Sequence, residues 1–115
     1  MNSNNILSDY GLDALAAVLH ETAIEKGFWD GEYTNDKMGN KLALVHSEVT
    51  EVLEAIRKSK GSEHIVEEIA DIIIRTLDLY AAMRNKEEVT HSLDEILEKK
   101  INKNKERPRL HGNLF

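Results

Sequence analysis

Apolar residues recur at spacings of three and four along four stretches of the chain, the repeat of helices that bury one face. The first stretch, from about Asp9 to Lys26, sets Leu12, Leu15, Ala16, Leu19 and Ala23 on one side, with Gly27 placed to end it. A loop from Phe28 to Asn35 carries the only tryptophan, Trp29. The second stretch, about Asp36 to Ser59, aligns Met38, Leu42, Val45, Val49, Val52 and Ile56 as a buried face, and Gly61 stops it. Ser62 is positioned to cap a third helix running to about Arg84 through Ile65, Ile69, Ile72, Ile73, Leu77, Tyr80 and Met83. The fourth, about Thr90 to Glu106, aligns Leu93, Ile96 and Leu97, with Ile101 to one side. The remainder, Arg107 to Phe115, holds the single proline, Pro108, and reads as an irregular tail.

The third helix is apolar over most of its circumference, so it should be covered on nearly every side. Three other helices of this size cannot do that alone. The expected fold class is therefore all-α, a four-helix bundle completed by homo-oligomerisation into a homodimer or homotetramer. At 115 residues the chain reads as one domain, 1–115. It has no cysteine, which removes disulfides, thiolate metal sites and a cysteine nucleophile. A net charge of −6 is the wrong sign for nucleic acid or an anionic membrane surface. No apolar run suits a membrane helix, and Met1-Asn2-Ser3-Asn4-Asn5 does not resemble a signal peptide, so a cytoplasmic location is expected.

Against that apolar third helix stands one narrow polar stripe: Glu68, Asp71, Arg75 and Asp78. Glu68 and Asp71 are three apart and share a face, as do Glu48 and Glu51 on the second helix, bordered by Leu44 and Ala55. Helices joined by a short turn tend to lie antiparallel, which lets the two acidic pairs face each other about Gly61. Four carboxylates converging on a partly dry site need a counter-charge. All-oxygen donors suit Mg²⁺ or Mn²⁺ better than zinc. A single such pair is normally solvated surface, and Arg75 would pair readily with Asp71 or Asp78 at helical spacing. Two opposed pairs put a metal site on an equal footing with that reading.

The inward stripe of the fourth helix turns polar at Lys100, Asn104 and Arg107. These residues would suit an anion held near a carboxylate–metal site. From the residues alone, a basic last turn favoured by the helix dipole explains them at least as well. There is no Gly-rich phosphate loop of the P-loop type.

The run Leu44-Val45-His46-Ser47-Glu48-Val49-Thr50-Glu51, followed by Glu67-Glu68-Ile69-Ala70-Asp71, resembles the E-x-x-E…E-x-x-D signature of the MazG-like, all-α nucleoside triphosphate pyrophosphohydrolases. Lys100 to Pro108 resembles the K-x-x-x-N-x-x-R end of the last core helix in short MazG-like and dCTPase-like members. Lys26-Gly27-Phe28-Trp29-Asp30 and His111-Gly112-Asn113-Leu114-Phe115 are similar to segments of the short single-domain members, so the likeness spans nearly the whole chain.

The resemblance implies Mg²⁺-dependent hydrolysis of a (deoxy)nucleoside triphosphate to monophosphate and pyrophosphate, a task of nucleotide-pool housekeeping. It implies Glu48, Glu51, Glu68 and Asp71 as metal ligands. Lys100, Asn104 and Arg107 would contact phosphates or sugar, and Trp29 would stack on the base. His46 and His20 are weaker candidates. Many members carry a further glutamate directly before the first ligand, where this chain has Ser47. The water is then activated by metal, or Glu48 or Glu51 doubles as the catalytic base, or activity is reduced.

Two neighbouring readings stay open: a phosphoribosyl-ATP pyrophosphatase, and a non-catalytic nucleotide-binding helical oligomer. A ferritin-like di-iron bundle needs two Glu-x-x-His motifs, and only Glu88-x-x-His91 fits.

Overall fold

The computed structural model describes residues 6–109. Four helices follow in order: α1 (Ile6–Glu25), α2 (Asn35–Arg57), α3 (Ser62–Lys86) and α4 (Leu93–Glu106). There is no strand among the described residues. No helix among them is long and apolar enough to cross a membrane. The expected motif at His111–Phe115 lies outside the described residues.

Local chemistry sets the ends of these helices. At the C-terminus of α1, the Gly27 N–H donates to Ile24 O and the Phe28 N–H to Ala23 O, both at 3.0 Å. Gly27 itself has φ 83°, so it closes the helix in the manner expected of a left-handed glycine cap. Thr34 caps α2 by accepting the Lys37 N–H. Ser92 and Glu95 form a reciprocal capping box, which starts α4 at Leu93 rather than at the expected Thr90. Two other expectations are corrected. Gly61, not Ser62, sits at the N-cap of α3, and it makes no side-chain bond there. The left-handed residue that closes α2 is Ser59 (φ 52°), with the Lys60 N–H reaching back to Ala55 O.

The sequence also suggests an unbroken first helix, but α1 is interrupted at Gly11 (φ 80°, ψ −168°). The break frees the N–H groups of Leu12 and Asp13, and the Asp94 carboxylate accepts both, at 3.1 and 3.2 Å. In return, Asp13 accepts from the backbone of Leu93 and Asp94 at the start of α4. Each aspartate thus caps the other's helix. A Cβ on Gly11 would meet Asp94 Oδ2 at 3.0 Å, so glycine is required here by both conformation and space. Tyr80 of α3 joins this clasp, donating its hydroxyl to Asp13 at 2.5 Å and accepting the Leu93 N–H at 2.9 Å. Burial pushes the Asp13 carboxyl up, but hydrogen bonds from Tyr80, Asp94 and Leu93 outweigh it and hold the group below its ordinary value. Burial, then the bond to Asp13, pushes the Tyr80 phenol up.

α3 is the centre of the fold, packing against α2 on one side and α1 on another, while α4 packs along α1. The core lies where α1 crosses α3: Ala16, Leu77 and Ala81 are buried, and Leu12, Leu15, Leu19, Tyr80 and Leu93 pack around them. Buried Ala23 and Ala82 lie on the same two helices, and buried Ala55 is on α2. Alanines let the backbones approach closely, but they bury little area.

The large apolar side chains are elsewhere. Leu42, Val49, Leu53 and Ile56 on α2, and Val66, Ile69 and Ile73 on α3, are all 41–61% exposed. Leu42, Val49, Ile56, Ile69 and Ile73, with Met83 and Ile96, were expected inside. The three on α2 are on the surface of the single chain because α2 carries two apolar faces about 90° apart at ~100° per residue. The face toward α3 holds Val45, Val52 and Ala55.

Candidate functional site

Glu48 belongs to the α2 face that meets α3, in phase with Val45, Val52 and Ala55, so its carboxylate points between the helices. Its side chain is 15% exposed. Glu68 (16% exposed) and Asp71 stand on adjacent turns of α3 opposite it. One oxygen from each of Glu48, Glu68 and Asp71 lies within 4.8 Å of the others. Two cationic or polar neighbours hold the cluster: Arg75 Nε donates to Glu48 Oε1 at 2.8 Å, and His64 Nε2 lies 3.4 Å from Glu68. Arg75 therefore pairs across the hairpin rather than with Asp71 or Asp78 on its own helix.

Glu51 is not brought into this group. Three residues turn a helix by ~300°, so Glu51 is rotated about 60° from Glu48 and is exposed. Asp78, the last member of the acidic stripe, also goes elsewhere. It accepts from His20 Nδ1 at 2.7 Å and from the Trp29 indole N–H at 2.9 and 3.0 Å. His20 is buried, and its ring meets Trp29 edge-on, centroids 5.3 Å apart. Lys41 Nζ sits 4.8 Å above the Trp29 ring and donates to the Phe28 carbonyl at 2.5 Å. The tryptophan that sequence marks for stacking is thus bound by its N–H and has a cation over its ring.

Beside the carboxylates opens a cleft of about 430 Å³ between α1, α2 and α3. Leu19, Ala23, Phe28, Leu44 and Ile74 make its apolar walls, with Lys41 and Asp78 toward one end. Asp71 and Arg75 line it too, so the cleft and the carboxylate cluster share residues. Phe28, 62% exposed, presents a ring to this space. Sequence reasoning missed Phe28, Lys41 and Ile74. The available signal was phase: Lys41 lies seven residues before Glu48 and so shares its face.

Three acceptor-only carboxylates from two rigid helices, with no sulfur donor, form a set suited to a hard, oxygen-loving dication. Residues 37–111, well over half of the chain and including all of these carboxylates, match the MazG nucleotide pyrophosphohydrolase domain. The chain belongs to the MazG family. Comparisons with curated proteins and with solved structures find no match. MazG-family proteins are generally nucleoside triphosphate pyrophosphohydrolases that use a divalent metal, and the Glu48–Glu68–Asp71 cluster provides donors for one.

The basic residues expected at the site are placed differently. Lys100 and Asn104 are exposed on α4, and Arg107 follows as its C-cap. Because the Asp13–Asp94 clasp docks α4 along α1, this helix meets α3 through Leu93 at its start and otherwise runs clear of α2 and α3. Within one chain these three residues are not gathered around the carboxylates. His46 is exposed on α2 and has no place in the cluster.

Proposed function

We propose that this MazG protein hydrolyses a (deoxy)nucleoside triphosphate to the monophosphate and pyrophosphate, with Mg²⁺ (or Mn²⁺) as cofactor and a housekeeping role toward the nucleotide pool. The observation that carries this reading is the adjacency of three convergent carboxylates to a cleft with apolar walls and an exposed aromatic ring. Glu48, Glu68 and Asp71 hold the dication, and Glu51, one turn along α2, closes on it from the exposed side. A dication held there supplies charge neutralisation to phosphate oxygens and acidifies a bound water. Phe28, Leu44 and Ile74 take the nucleoside, with Phe28 rather than Trp29 offering its ring face. Trp29 serves as the wall behind, fixed by Asp78.

With Ser47 in place of a glutamate, Glu48 and Glu51 are the carboxylates of α2 from which a general base can be drawn. The exposed apolar face of α2 and α3 supports a homo-oligomer, dimer or tetramer. In a tetramer, where a second pair covers the outer side of the first, the α4 end of a copy from that second pair is the source of phosphate contacts from Lys100, Asn104 and Arg107. The test is a panel of triphosphates with Mg²⁺ and identification of products. Monophosphate plus pyrophosphate is expected, and Glu48→Gln or Asp71→Asn should reduce release to background with the helical circular dichroism signal intact. Stepwise release of inorganic phosphate, or activity surviving both changes, refutes the assignment. Turnover confined to phosphoribosyl-ATP, or binding without turnover, would move the protein to one of the two neighbouring readings.

A further inference from the structure

The ion pair between Arg75 and Glu48 has a consequence for the acidic cluster. Three carboxylates drawn within 4.8 Å of one another repel, and the nearest fixed positive charge is the Arg75 guanidinium, one turn beyond Asp71 on α3. Its Nε meets Glu48 Oε1 at 2.8 Å. The two partners differ in freedom: the Glu48 side chain is 15% exposed and the Arg75 side chain 43%. Glu48 is held by the hairpin, whereas Arg75 reaches it through one nitrogen on a long stem. A single-point contact from a half-exposed arginine is easily exchanged. A dication bound by the same carboxylates would lie within a few ångströms of that guanidinium, and like charges at such range repel strongly where water is partly excluded.

We infer that Arg75 is a tethered counter-ion of the carboxylate cluster, and that a dication binds Glu48 by displacing it. This rests on reading the carboxylates as a dication site. The displaced guanidinium has a destination in the cleft. Arg75 already lines the cleft, together with Lys41, and its planar donor fork there suits a phosphate group. Arg75 thus ties metal loading to the positive charge presented to a polyanion. The opposite role is also physically defined: an arginine that merely orients Glu48 would support metal binding rather than oppose it.

The two roles give opposite signs in one measurement. Mn²⁺ binding to the nucleotide-free full-length chain is followed by loss of the free-ion paramagnetic signal, for wild type, Arg75→Gln and Arg75→Lys, with Glu48→Gln as the control that should lose the ion. Displacement requires Arg75→Gln to bind Mn²⁺ about tenfold more tightly, and Arg75→Lys, which keeps the charge, to stay near wild type. Equal or weaker binding by Arg75→Gln overturns the inference, as does the absence of Mn²⁺ binding in every variant. No nucleotide is involved, so a wild type that binds Mn²⁺ yet cleaves no triphosphate would sink the proposed activity and leave the role of Arg75 standing.

Discussion

Ser59 shows how a single residue can sit in the wrong chemistry for its conformation. It closes α2 with φ 52°, in the left-handed region where a Cβ crowds the backbone and glycine does not. Its N–H donates to Ile56 O at 3.2 Å, so the geometry is that of a helix C-cap. Ser59→Gly should therefore raise stability by about 1 kcal/mol, read as a higher urea midpoint at unchanged slope; a lower midpoint would show that Ser59 contributes something its conformation does not reveal. The neighbouring Gly61 is the residue that sequence marks as the stop, two positions late. Turn residues are legible as a cluster, but which member takes the left-handed conformation depends on the register of the last helical turn. Asp78 is a harder case. Its partners His20 and Trp29 lie 58 and 49 residues away in sequence, and no periodicity links them, so it reads as one more member of an acidic stripe.

At the scale of elements, α1 and α4 depend on each other through the two aspartates. Asp13 caps α4, Asp94 caps α1 below the Gly11 break, and Tyr80 ties both to α3. A carboxylate held below its ordinary value in the folded chain is more favourable folded than unfolded when ionised. Its contribution is thus complete above the unfolded value, near 3.8, and disappears as pH falls through the lower folded value. Wild-type stability should fall in that acid range, and Asp13→Asn should lose about 1–2 kcal/mol at neutral pH while showing a shallower acid decline. Urea titrations at pH 3, 4 and 7 measure both, and identical pH profiles would mean that the clasp carries no titrating load. The existence of four helices and their rough limits was readable from period and caps. So was the meeting of three of the four acidic side chains, because Glu48 and the Glu68–Asp71 pair stand on either side of one short turn. The direction of α4 was not readable. Its apolar stripe fits α1 and α3 equally well, and the clasp that decides between them needs a break at Gly11 that helical periodicity passes straight through.

For the molecule as a whole, the decisive fact is where its large apolar side chains are. Among the described residues, the buried apolar set is five alanines and Leu77, a thin core for a chain of this length. Meanwhile Leu42, Val49, Leu53 and Ile56 run along one side of α2, and Val66, Ile69 and Ile73 along α3. At ~100° per residue in antiparallel helices, both rows fall on the same face of the hairpin, away from the cleft. From Leu42 to Ile56 on α2 and from Val66 to Ile73 on α3, that face carries no acidic or basic residue apart from His46, in a chain that is 31% charged. Periodicity marked Leu42, Val49, Ile56, Ile69 and Ile73 as buried without saying against what, which is why these five are found on the surface of the single chain. A partner needed for folding must be present whenever the chain is made, and a second copy meets that condition; two-fold pairing is the commonest form. Pairing the faces would build a four-helix layer with the carboxylate clusters on its outer sides. Leu53→Glu together with Ile69→Glu should reduce the mass measured by light scattering to that of one chain and lower the melting temperature. Glu98→Lys on exposed α4 should leave the mass unchanged, and a double variant that keeps the wild-type mass would place the contact between copies on another face.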